Sequence, residues 1–100
     1  MMAISPGPEP AFVWKSYSRF VELYPVRTGW LVLWGRYEEL GAKTWLNGSR
    51  IYPDFAGARR RIADAVMELT RRPALADEAL ILLSRAALPD HHPETIPPAL

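Results

Sequence analysis

The stretch WLVLWGRYEELG, residues 30–41, decides how this chain is read. Trp30 to Tyr37 is aromatic, β-branched or aliphatic except for Gly35 and Arg36, which is the composition of a strand. Side chains alternate across a strand. Trp30, Val32, Trp34 and Arg36 therefore share one face, and Leu31, Leu33 and Tyr37 share the other. If the leucine face packs under a helix, the opposite face offers two indoles and a guanidinium, joined by Trp45 from the next strand. If the tryptophan face is the core, the indoles are packing residues. Alternation leaves both arrangements open. Gly35 weakens a strand unless a bulge or a close backbone approach needs it.

The neighbouring segments build a sheet around this strand. SYSRFVELY (16–24) is aromatic, β-branched and partly alternating. PVRTG (25–29) reads as a turn, with Pro25 setting φ and Gly29 permitting a positive one. EELGA (38–42) turns the chain back and KTWL (43–46) begins a third strand. Asn47-Gly48 is a strong hairpin signal, so Ser49–Tyr52 is expected as a fourth, short strand. The alternative is a bulge, with 43–52 one bent strand.

Helical periodicity follows. Asp54 is a good N-cap, and Phe55, Ala58, Ile62, Ala65, Val66 and Leu69 make one apolar stripe. Arg71 and Arg72 are expected in the last turn, where the helix dipole favours cations, with Pro73 ending the helix. Asp77 and Glu78 open a second helix through about Ala87, ended by Pro89. Its middle, residues 79–83, is apolar almost all round, so part of it either wedges deep or meets a partner. The fold class is α+β: an antiparallel three- or four-stranded sheet, one amphipathic helix packed across it and a second short helix.

The 100 residues fit one domain. The patterning divides them into an N-terminal segment at 1–14, a single α+β domain at 15–88 and a proline-rich tail at 89–100. SPGPEP (5–10) and LPDHHPETIPPAL (88–100) hold seven of the ten prolines, so neither should form a regular element. The chain has no cysteine, which excludes a disulfide framework and thiolate metal sites. Its first ten residues lack the basic and apolar regions of a signal peptide, and no apolar run approaches membrane-spanning length. A cytoplasmic protein without membrane contact is the expectation. The net charge of +1 conceals a segregation. Residues 11–72 carry eleven basic and six acidic side chains, whereas 73–100 carry one and four. A basic centre points to an anionic partner.

Nothing assembles into a catalytic motif. His91-His92 lies in the proline-rich tail, where adjacent side chains point apart, and Glu38-Glu39 reads as a polar turn. No phosphate-loop, dinucleotide, nucleophile-elbow or zinc-protease pattern occurs. We expect no catalytic residue, no metal and no cofactor. Arg59-Arg60-Arg61 spreads around a helix, with Asp64 at pairing distance from Arg60 and Arg61. Those arginines either form a solvated face or grip phosphate oxygens.

Tyr17, Phe20-Val21-Glu22-Leu23, Trp30-Leu31-Val32-Leu33 and Trp34-Gly35-Arg36 together resemble the WGR domain, a family named for its Trp-Gly-Arg motif. That family occurs in DNA-dependent poly(ADP-ribose) polymerases and in small bacterial proteins. The resemblance covers about residues 15–72 and implies an antiparallel sheet with a packed helix. It also implies that Trp34 and Arg36 contact DNA, and it carries over no catalytic residue. The first functional expectation is thus a small non-enzymatic module binding nucleic acid, DNA favoured. Trp34, Arg36 and Lys43 would make the main contacts, with Arg50, Arg59 and Arg60 as weaker phosphate partners. The alternative is a protein-interaction module or homodimer through residues 79–87, where Leu80, Leu82 and Leu83 and exposed tryptophans form the interface.

Overall fold

The computed structural model describes residues 9–37 and 44–88. Four strands form one antiparallel meander: β1 (Phe12–Ser16), β2 (Arg19–Val26), β3 (Gly29–Tyr37) and β4 (Thr44–Tyr52), in that order across the sheet. Two helices follow, α1 (Phe55–Thr70) and α2 (Pro73–Ser84). This is the expected α+β class, with α1 packed across the sheet.

Several boundaries differ from the sequence reading. β1 begins at Phe12, inside the segment assigned to the N-terminal arm. Phe12 and Trp14 face the core while Val13 and Lys15 face out, so five alternating residues beside prolines are enough for an edge strand. The turn after β2 is only Arg27-Thr28, because Pro25 lies in β2 opposite Trp30. β1 starts opposite Leu23 and has not yet reached this point, so no ladder bond is lost where the proline lacks its N–H.

The Asn47-Gly48 hairpin does not form. β4 is one continuous strand, and its register on β3 shifts from Trp34↔Gly48 to Gly35↔Leu46, leaving Asn47 as the extra residue of a bulge. A type I′ turn needs positive φ at both central residues, and neither Asn47 nor Gly48 has it. Pairing along eight residues of β3 outweighs the local turn preference. The bulge also explains the motif glycine: a Cβ on Gly35 would run into the Trp45 carbonyl oxygen.

Asp54 caps α1, its side chain accepting from the Gly57 N–H at 2.8 Å. Ala58, Ile62, Ala65, Val66 and Leu69 are buried, as the stripe required. Arg71 and Arg72 are not in the last turn of α1. Arg71 is its C-cap in the left-handed region (φ 59°), its N–H bonded to the Met67 carbonyl, and Arg72 is the N-cap of α2. Pro73 opens α2 rather than merely ending α1, since a first-turn proline sacrifices no helical hydrogen bond.

The main core lies between the helices and one face of the sheet. Phe12, Trp14, Val21, Leu23, Trp30, Val32 and Trp34 meet the stripe of α1 and Ala76, Ala79 and Leu83 of α2. The tryptophan face of β3 is therefore the covered one, correcting the arrangement in which Leu31, Leu33 and Tyr37 lie under the helix. Trp30 packs edge-on against Phe55, ring centroids 5.5 Å apart.

Candidate nucleic-acid interface

β3 changes character at Gly35. Trp34, only 6 % exposed, sits under α1. Its Nε1–H donates to Glu68 Oε2 at 3.2 Å, and the Arg61 guanidinium lies over its ring, 4.3 Å from the centroid. Arg61 Nη2 also approaches Glu68 Oε1 at 3.4 Å, so one carboxylate ties both residues to α1. On its other side the ring fills the space above Gly48, where a Cβ would collide with it. Trp34 has no free indole face for a base. This corrects its assignment as a nucleic-acid contact: the residue is core, and α1 is what covers it.

Two residues on, Arg36 leaves the shelter of α1 and is exposed. The register places Arg19 directly opposite it on β2 and Trp45 directly opposite it on β4. Directly opposed residues share a face of the sheet. A row Ser16–Arg19–Arg36–Trp45 therefore crosses the whole sheet just beyond the helix-covered core. Trp45 is 54 % exposed, the indole most open to solvent among the described residues. Like charges directly opposed repel, yet no acidic partner for Arg19 or Arg36 occurs among the described residues. The Nε atoms of Arg19 and Arg61 are both buried without a hydrogen-bond partner. The arrangement suits an anion that two forks can share, beside a flat aromatic surface.

The remaining expected contacts are scattered. Arg50 is exposed on β4, 5.9 Å from the Tyr52 ring centroid and opposite Val32, farther up the edge strand. Arg59 and Arg60 are exposed on α1. At about 100° per residue they point away from Arg61, so the three arginines do not converge on one spot. Lys43, the turn 38–42 and His91-His92 lie outside the described residues. Arg19 was missed in the sequence reading. The signal for it is pairing: a two-residue Tyr17-Ser18 loop fixes the register that sets Arg19 beside Arg36.

The proposed α2 interface also divides. Leu83 is buried in the core and Leu80 is half-buried against it, so neither is free for a partner as a whole side chain. Leu82 and its neighbour Ile81 are exposed. The spacing Ala76, Ala79, Leu83 turns one stripe inward, and the apolar excess is left on the opposite side.

Among the described residues, no three His, Asp or Glu side chains stand together as a metal site, and no helix is long and apolar enough to cross a membrane. The opposite sheet face holds one strongly perturbed group. Tyr24 is buried and donates to Glu22 Oε1 at 3.0 Å; burial first, then the Glu22 charge and hydrogen bond, push its hydroxyl well above the usual tyrosine range.

The fold and the arginine–tryptophan row define a small α+β module with a cationic, aromatic end to its sheet. Comparison with protein-family models, curated proteins and solved structures gives no match. The WGR resemblance therefore stands on the residues themselves.

Proposed function

We propose that this chain is a small non-enzymatic module that binds nucleic acid at the end of its sheet, with DNA favoured by the WGR resemblance. One observation carries the reading: Arg19 and Arg36 lie directly opposed without a described acidic partner, next to the exposed indole of Trp45. A phosphate relieves the repulsion between the two guanidiniums and accepts from both. The Trp45 face gives a base or sugar a stacking surface. Arg50 extends the contact along β4, and Arg59 and Arg60 add sequence-independent attraction. Trp34 serves the site indirectly by holding β3 and Arg61 in place. No metal or small cofactor enters this reading, and a cytoplasmic setting suits it.

The test is a titration of a labelled short duplex, and of its single strand, at low and near-physiological salt. The reading expects salt-sensitive binding that weakens in Arg36→Ala and Arg19→Ala, each removing about one unit of salt slope. No binding at low salt by the folded wild type overturns it.

A second reading rests on Ile81 and Leu82, two neighbouring exposed aliphatic residues on α2. They suit a homodimer or a protein partner, with Leu80 at the margin. A concentration-independent monomer by light scattering would remove the homodimer form of this reading.

A further inference from the structure

Tyr17 stands where a tyrosine is least expected. It is the first residue of the two-residue loop between β1 and β2, with φ 57°, in the left-handed region. A side chain with a Cβ is strained there, and glycine, asparagine or aspartate is the usual occupant. Arg71, the other described non-glycine residue with positive φ, closes α1 as its C-cap. Nothing in the fold needs the Tyr17 ring in the same way. It is 85 % exposed, the most open of the large apolar side chains among the described residues.

The fold uses the backbone of this loop instead. The Tyr37 hydroxyl donates to the Tyr17 carbonyl at 2.8 Å, and the Tyr37 N–H donates to the Ser18 carbonyl at 2.9 Å. The tip is thus fixed from β3, and it holds an unburied ring out in water. Backbone strain persists only where the surroundings fix it, and it clusters at binding sites.

We propose that Tyr17 is a second stacking platform, and that the nucleic acid this sheet end prefers is a single strand of DNA laid across it, with one base on Tyr17 and another on Trp45. The inference rests on the nucleic-acid reading above and adds to it the form of the ligand. Strand register fixes the order of the groups. Ser16, next to Tyr17, lies opposite Arg19; Arg19 lies opposite Arg36; Arg36 lies opposite Trp45. The arginine pair therefore stands between the two rings. Ser16 and Trp45 are three strand spacings apart, about 14 Å. Stacked bases rise about 3.4 Å per nucleotide and cover one another's faces, so a duplex offers an open face only at its end. Two rings this far apart each need a base that is unstacked, and an unpaired strand supplies both. The phosphates between those bases fall to the Arg19 and Arg36 guanidiniums, whose N–H forks donate to phosphate oxygens.

The test uses three labelled probes: a short oligothymidine, the same backbone without its bases, and a blunt duplex. Each is titrated with the wild type, Tyr17→Asn, Tyr17→Phe and Arg36→Ala. Asparagine tolerates the left-handed backbone, and both tip hydrogen bonds accept at main-chain carbonyls. Tyr17→Asn should therefore unfold in urea at no lower a midpoint than the wild type. It should weaken oligothymidine binding about fivefold or more with the salt slope unchanged, and leave the abasic strand and the duplex nearly unaffected. Tyr17→Phe should bind as the wild type does, and Arg36→Ala should weaken all three probes. Unchanged oligothymidine affinity in Tyr17→Asn, with Arg36→Ala still weakened, overturns the platform and leaves the nucleic-acid reading standing. An equal loss on all three probes in Tyr17→Asn also overturns it, since a stacking ring cannot act on a strand without bases. No binding of any probe by the folded wild type at low salt overturns both.

Discussion

Trp34 and Arg36 stand two residues apart on the same side of the same strand, and they answer to different forces. Trp34 is enclosed by α1, Gly48, Glu68 and Arg61. Arg36 is exposed, and among the described residues its cross-strand neighbours are Arg19 and Trp45. The same contrast separates the two indoles: Trp34 is 6 % exposed and Trp45 is 54 % exposed. A motif that reads as one unit in sequence is thus split by where the helix stops. Its first residue builds the domain, and its last is available to a partner.

The sharpest way to break this comparison is to remove the enclosed half. Trp34→Ala should cost about 3–5 kcal/mol in chemical or thermal unfolding, a large part of a small domain's stability. A cost like that of an exposed residue would mean the indole is not core. Gly35→Ala should cost about 1–3 kcal/mol, because the new methyl meets the Trp45 carbonyl and the bulge must open. An unchanged midpoint would show that the bulge does not hold the two strands as described.

Alkaline titration probes the leucine face behind the motif. Tyr24 loses its proton less readily when folded, since burial and Glu22 both oppose the phenolate. Its neutral form is therefore the one the fold favours. The resulting stability is fully present below the unfolded value near 10 and is lost as pH rises beyond it. Urea midpoints should fall above that pH in the wild type and fall less in Tyr24→Phe. Equal slopes would contradict the enclosed Tyr24–Glu22 pair. The smallest effect belongs to the free half of the motif: Arg36→Ala should change stability by less than about 0.5 kcal/mol. A loss of several kcal/mol would place Arg36 among the packing residues.

The sequence carried the strand of 30–37, the α1 stripe and its Asp54 cap, and hence the α+β class, because each rests on a period or a cap that local chemistry sets. It could not say which face of β3 the helix covers. Alternation identifies an inward face only when the other face is polar, and here Leu31 and Leu33 are as buried as Val32 and Trp34. The Asn47-Gly48 signal misled for a related reason. Turn preference is local, whereas eight residues of β4 pairing with β3 is not. Arg36 was legible as a candidate from the motif alone. Arg19 and the exposed state of Trp45 were not, since they become neighbours of Arg36 only through strand register. Leu83 looked like a surface leucine in an apolar run until α2 was phased by Ala76 and Ala79.

The most direct test follows the four indole N–H signals of the isotope-labelled protein while a short DNA duplex is added at low salt. The account predicts that the Trp45 indole and the backbone amides of Arg19 and Arg36 shift from the first additions, while the Trp34 indole, bonded to Glu68, holds its position. Early movement of the Trp34 indole with Trp45 unmoved, or no movement of any of them, would contradict it.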